Sequence, residues 1–399
     1  MNLTFTRIRS AELTAEALTP GILEPFFERI MMCVQKRRII FIKTPVFIIG
    51  ILLAFSSLST AFAKQLGIWT SSKEISTIPM EGCAWERMKK AAKQADPFLA
   101  TVSDQDSNNN VQILAAAIVY ARSGEKIYKD KVVAAIEGLV SKGKPSGRTL
   151  AWGRETAAYV IAADLVEYRT SAFEAWCRNV AEVWIAEDKR TLMQTFKKRP
   201  NNWGAHAFGS LSAIYAYLQD HTRLKEIKDL WTQTIIGPKP GETKYGKDLS
   251  WHVDKNNLRA INPKNSVRNS INIDGIIPDD MRRGSSFREY PKHTDYSWEY
   301  LQGVIVAAII LERMHLPIWK TGDKALLRAA YALQVSLENR YGGWSAEDDD
   351  QWLLPFIDKV YGTDWSSKYD PCSSRLYKHG KNAGWGWITL ENNVTPLKR

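Results

Sequence analysis

An all-α fold, arranged as an α/α toroid of antiparallel helical hairpins, is what this chain predicts from three observations. Apolar residues recur at helical spacings through most of its length, clusters of Gly, Pro, Asn and Asp separate those stretches, and no run of alternating apolar and polar residues marks a strand. About ten helices paired by short turns, with long loops left over, suggest the toroid rather than a short bundle. No internal repeat is visible, so helix number carries that inference.

In order, residues 64–82 start irregularly. Helical segments are expected over Trp85–Ala95, Val111–Arg122, Tyr128–Ser141, Thr149–Tyr168, Ala172–Glu187, Ala207–Leu218, Thr222–Ile235, Tyr296–Met314 and Lys324–Tyr341. Leu114 with Ile118, and Ala158 with Ile161 and Leu165, illustrate the spacing. The turns include Ser123-Gly124, Lys144-Pro145-Ser146-Gly147 and Pro238-Lys239-Pro240-Gly241. The stretch from Gly237 to Lys292 is too long for a simple connection and is expected to be functional or mobile.

The N-terminus carries its own pattern. Lys36-Arg37-Arg38 precedes an apolar run from Ile39 to Leu58, broken by Lys43-Thr44-Pro45, and then Ser59-Thr60-Ala61-Phe62-Ala63. A basic start, an apolar core and an Ala-x-Ala ending predict a secretory signal cleaved after Ala63, with translation beginning at Met31 or Met32. Residues 1–63 are then an extension plus signal, residues 64–399 a single domain, and the mature protein periplasmic or secreted. An uncleaved anchor is the competing view, although the uninterrupted run Val46–Phe55 is short for a bilayer. Cys83, Cys177 and Cys372 remain after cleavage, enough for one disulfide whose pairing stays open. No CxxC or His/Cys cluster suggests a structural zinc, and no metal or cofactor is expected.

With 45% hydrophobic and 24% charged residues the chain is globular, which excludes disorder as the default. The formal net charge of +11 fits an anionic polysaccharide at least as well as nucleic acid or a membrane surface, and no nucleic-acid module is present. Stable membrane insertion after cleavage is not expected.

Two constellations suggest chemistry. The first is Asn201-Asn202-Trp203-Gly204-Ala205-His206, following Lys197-Lys198-Arg199-Pro200. Pro200 ends the preceding helix and drives Arg199 towards an extended conformation, while Asn favours helix starts. Amide, indole and imidazole groups at a helix N-terminus form a corner for a carboxylate. The same residues equally describe a capped helix with Trp203 and His206 in its core. The second constellation runs from Asp274 to Leu301 and contains Asp280, Arg283, Arg288, Tyr290, His293 and Tyr296. Alone, it reads as a solvated basic loop with aromatic anchors.

As an ordered set, these stretches resemble the alginate (polymannuronate) lyases and related toroidal uronate-polymer lyases. Those families carry an Asn-Asn helix start with a nearby His, then a Gly-x-x-Pro-x-acid-x-x-Arg segment leading to a Tyr at an apolar helix. Asn201-Asn202 with His206, then Gly275, Asp280, Arg283 and a downstream tyrosine match here, as does the later Gln351-Trp352-Leu353-Leu354-Pro355-Phe356. The resemblance spans roughly Trp85 to Tyr361. Two differences stand out: Trp203, not His, follows Asn202, placing His206 a helical turn further on, and the tyrosine is either Tyr290, by spacing, or Tyr296, by context, which is preferred.

The resemblance implies β-elimination on a uronic-acid polymer, alginate first and glucuronan second. Asn202, His206 and Arg283 would neutralise the sugar carboxylate, and Tyr296 or Tyr290 would serve as base and acid, since a nearby cation favours phenolate. His206 is the base for the opposite epimer in an alternative assignment. Asn201, Trp203, Trp152, Arg154, Arg288, His293, Trp344 and Trp352 are the candidate substrate-binding residues. Two rivals remain: a toroidal glycoside hydrolase using Asp280 and Asp348, and a non-catalytic periplasmic polysaccharide-binding protein.

Overall fold

A computed structural model of the chain describes residues 66–237, 241–370 and Cys372, all within a unit running from Phe62 to Arg399. The expected signal, its cleavage site after Ala63 and the turn at 238–240 lie outside the described residues. Among the described residues no helix is long and apolar enough to cross a membrane.

The structure is mainly helical. Its longer helices are α1 (Cys83–Gln94), α2 (Asn109–Ser123), α3 (Lys126–Lys142), α4 (Thr149–Leu165), α5 (Ser171–Arg178), α6 (Leu192–Lys198), α7 (Asn202–Tyr217), α8 (His221–Ile236), α9 (Tyr296–Arg313), α10 (Thr321–Tyr331) and α11 (Leu353–Tyr361). Two-residue strands, Val267–Arg268 and Ile271–Asn272, pair antiparallel within the long loop. Wide π turns extend α5 over Asn179–Val183 and α10 over Ala332–Leu337.

Two classes of helix differ in what they bury. On α3 the buried residues Tyr128, Val132, Ala135, Ile136 and Leu139 form one stripe, and on α8 Leu224, Ile227, Trp231 and Ile235 do the same. By contrast, every residue of α4 and α7 is buried, as is most of α2 and α9. The second class therefore forms the interior and the first class covers it.

Glycine sets the spacing within that interior. A β-carbon on Gly153 of α4 would lie 2.9 Å from the Ala207 nitrogen of α7, and one on Gly209 would lie 2.9 Å from the Gly303 carbonyl of α9. A β-carbon on Gly303 would collide with the backbone of Ala205 and His206. Ala157 N–H also donates to Ser210 Oγ (3.0 Å), whose hydroxyl donates to the Gly153 carbonyl (2.7 Å). Residue numbers rise together along each contact, so α4, α7 and α9 run in the same direction and begin at the same end.

Local chemistry explains the boundaries. α6 opens with a reciprocal capping box between Thr191 and Gln194, and Asp220 caps α8 by accepting from Arg223 N–H (3.0 Å). α2 and α11 stop at Gly124 and Gly362, both in the left-handed region at φ 74° and 72°. Arg199, before Pro200, is extended at φ −116° and ψ 106°, as the proline requires.

One expectation is corrected and one narrowed. α7 starts at Asn202 and not at Ala207, because Trp203, Gly204 and His206 are helical and buried. The loop after Gly237 is tied down: Asn262 Nδ2 donates to the carbonyls of Trp251 (3.0 Å) and Ile273 (3.1 Å), and Trp251 Nε1 donates to the Ser285 carbonyl (2.7 Å). The segment at residues 66–68 is also pinned, since Asp164 accepts the N–H groups of Leu66, Gly67 and Ile68. Cys83 and Cys372 form a disulfide, and Cys177 is free and buried.

If backbone contact between α7 and α9 holds the interior together, Gly303→Ala should lower stability by about 3 kcal/mol or more through overpacking. Gly138→Ala, in α3, meets only the Pro97 carbonyl at 3.7 Å and should be neutral or stabilising by up to about 1 kcal/mol. Denaturant unfolding of both variants measures the difference.

Candidate functional site

The common N-terminal end of α4, α7 and α9 gathers polar side chains from four parts of the chain. Arg283, exposed on the loop before α9, donates from Nη1 to Asn202 Oδ1 at 3.2 Å. Its guanidinium carbon stands 3.3 Å from the centroid of the Tyr296 ring, a close cation–π contact. Asn202 Nδ2 donates to Glu299 Oε2, which also pairs with Arg154 Nη2 at 2.7 Å. Tyr296, Arg283, Asn202, Glu299 and Arg154 thus form one continuous polar chain from solvent into the interior.

Helix geometry places these groups. Tyr296 and Glu299 lie three residues apart in the first turn of α9 and share a face. Asn202 is the first residue of α7, and Arg154 sits one turn into α4. Arg154 is 4% exposed, so its charge requires the Glu299 carboxylate.

The corner at the start of α7 is already filled. Asn201 occupies the N-cap position without making a side-chain cap, and Asp280 accepts from Asn202 N–H at 3.1 and 3.3 Å. Asp280 is completely buried, and burial, reinforced by neighbouring Asp279, holds its carboxyl well above the usual range against the opposing Asn202 N–H. The free helix terminus expected to receive a substrate carboxylate is therefore capped from within.

His206 lies deeper, 3% exposed, in a small gap bounded by Gly153, Arg154, Gln302 and Gly303. Burial, aided by the Arg154 charge, holds its imidazole well below its usual pKa, so it is neutral. Its Nε2 has no hydrogen-bond partner. It does not reach solvent, which removes it as the base for an opposite epimer.

The aromatic platforms are also corrected. Trp152 and Trp352 are fully buried and Trp344 is 2% exposed, so none offers a ring face to a sugar. Trp152 Nε1 donates to the Ser146 carbonyl (2.8 Å), and the Trp344 carbonyl accepts from Trp298. Trp203 is 9% exposed, with the guanidinium groups of Arg199 (4.1 Å) and Arg148 (5.4 Å) over its ring. It steadies cations instead of stacking on a ligand.

Other expected residues lie elsewhere. Tyr290, 71% exposed, packs edge-on against Tyr341 at 5.9 Å, and Arg288 lines a surface depression with Phe287 and Arg340. His293 rests 4.6 Å from Trp344, with Nδ1 3.4 Å from Asp295. Among the described residues no group of three or more His, Cys, Asp or Glu could hold a metal ion.

Neither the models of known protein families nor the curated proteins match this chain.

Sequence reasoning missed Glu299, the hinge of the cluster. Its signal was the spacing from Tyr296 and the need of a buried arginine for an acid. It also missed Glu155, fully buried on α4 with neither carboxyl oxygen partnered. Burial first, then Asp104, pushes the Glu155 carboxyl well above its usual range despite nearby Arg154.

Two outcomes follow. Glu299→Ala strands the Arg154 charge in the interior and should cost about 3–5 kcal/mol in denaturant unfolding. Glu155 has a folded pKa above its unfolded one, so its contribution is most favourable at low pH and declines as pH rises from the ordinary carboxyl range towards the folded value. Glu155→Gln should therefore flatten the loss of stability between acid and alkaline pH, leaving the variant more stable than wild type above neutrality. Thermal melts across pH read this directly.

Proposed function

We propose that this protein is a polysaccharide lyase that cleaves a uronic-acid polymer by β-elimination, with alginate or polymannuronate the first substrate and glucuronan the second. The observation that carries the proposal is the stacking of the exposed Arg283 guanidinium on Tyr296 beside Asn202, three groups from two distant parts of the chain.

Each group has a role in such a reaction. Arg283 uses one N–H on Asn202 and presents the rest of its fork to a sugar carboxylate, which must be neutralised as charge builds up on it. Asn202 has both ends of its amide committed, to Arg283 and Glu299, and so positions the arginine instead of binding sugar. Tyr296, as phenolate, takes the C5 proton. The C–H electrons form the C4–C5 double bond, the C4–O bond breaks, and the phenol returns a proton to the departing oxygen. No water is consumed. Glu299, Arg154 and neutral His206 form the rigid backing.

Same-direction buried helices covered by amphipathic ones support an α/α toroid, and the Cys83–Cys372 disulfide supports an exported, periplasmic or secreted protein. The rival hydrolase is disfavoured because Asp280, one of its two carboxylates, is sealed beneath the start of α7.

Wild-type protein should generate an unsaturated, ultraviolet-absorbing product from an acidic polysaccharide without consuming water. Tyr296→Phe should lower the rate by about 10²–10⁴-fold, while Tyr290→Phe stays near wild type. Loss of activity in Tyr290→Phe alone would transfer the base to Tyr290, and reducing ends without absorbance would replace the lyase with a hydrolase.

A further inference from the structure

Next to the Tyr296–Arg283 cluster is a depression of about 250 Å³ whose lining includes Arg190, Lys198, Arg199, Lys244 and Arg282. Five cations face one carboxylate there, Asp279, which holds Arg282 at 2.8 Å. Arg190 has its own acid, Asp188, at 3.4 Å. Among the described residues Lys198, Arg199 and Lys244 pair with no carboxylate. Burial first, then the like charge of Arg190, lowers the Arg199 guanidinium from its usual pKa against the opposing charge of Asp188, with Arg283 adding to the effect and Asp279 opposing it. Five cations held together against Asp279 and Asp188 leave an excess of positive charge at a half-buried place.

Two uncharged groups refine what is missing. Asn201 is 6% exposed, lines the depression, and has an Oδ1 atom without a hydrogen-bond partner. The Tyr245 hydroxyl, also lining it, is buried and unpartnered. An amide oxygen only accepts, so it repels the ionised oxygens of an anion but accepts from a hydroxyl, such as that of a sugar. Acid and hydroxyl on one ligand describe a sugar acid.

The position ties this depression to the proposed cleavage site. Asn201 and Arg282 are the immediate chain neighbours of Asn202 and Arg283. We propose that the depression is a second acid-sugar subsite, holding the uronate adjacent to the one that is cleaved, so that the substrate is a polymer with acidic groups on consecutive units. The inference rests on the lyase reading and gives this depression a role within it. Alternating polymers, in which a neutral sugar follows each uronate, leave Lys198, Arg199 and Lys244 unanswered and are poor substrates.

The test uses the double variant Lys198→Ala/Lys244→Ala, with hexamers of mannuronate and of glucuronate and an alternating uronate–neutral polymer. On the better hexamer KM should rise about tenfold or more with kcat within about twofold, because the lost contacts bind ground and transition states alike. The alternating polymer should show no change. Calorimetric binding of the same hexamers to Tyr296→Phe protein, with and without the two lysines, reads the subsite independently of turnover. If wild type gives no elimination product yet the lysines still strengthen hexamer binding, the subsite stands and the lyase reading falls. Elimination with KM and affinity unchanged by the lysine substitutions overturns the subsite and leaves the lyase. Failure of both hexamers to bind, or inorganic phosphate binding as tightly as the better hexamer, overturns it as well.

Discussion

Backbone contact between α4, α7 and α9 is the constraint on which the rest depends. Gly153, Gly209 and Gly303 let three helices approach closer than side chains permit, and their shared direction brings three N-termini to one end. Nothing else in the fold obliges Arg154, Asn202 and Tyr296, each near the start of its own helix, to meet. The cluster is a consequence of how the interior packs, and its rigidity comes from elements with almost no exposed surface.

That packing creates an electrostatic problem and answers it locally. Arg154 is drawn into the interior and needs Glu299, and the N-terminus of α7 needs a hydrogen-bond acceptor and finds Asp280 from the loop before α9. Both acids flank Asn202, which passes the order outward to Arg283. The exposed guanidinium is therefore the last member of a chain of fixed contacts, and it meets solvent already oriented. Pre-organised charge of this kind is what stabilising a developing anion requires.

Much of the helical framework was legible in the sequence, because stripes such as that of α3 follow from residue spacing alone. α6 was missed because seven residues carry little periodicity, and α11 because Pro355 sits in its first turn, where a proline is tolerated. Asn202, Arg283 and Tyr296 were found as a group through an ordered resemblance. The tryptophans were misjudged because indole composition does not separate a core ring from a platform, and Trp152, Trp344 and Trp352 are core. Asp280 and Glu299 were illegible as partners of Asn202, since they lie 78 and 97 residues away in the chain and only packing brings them near.

The bond between Cys83 and Cys372 links residues 289 positions apart, enclosing nearly all the described helices in a single covalent ring. A lone cut by a protease at any exposed loop inside that ring would open the circle without shedding a piece. A molecule so enclosed keeps its parts together in surroundings where hydrolytic enzymes are common, and the tie can form only once the last of the ring has been synthesised.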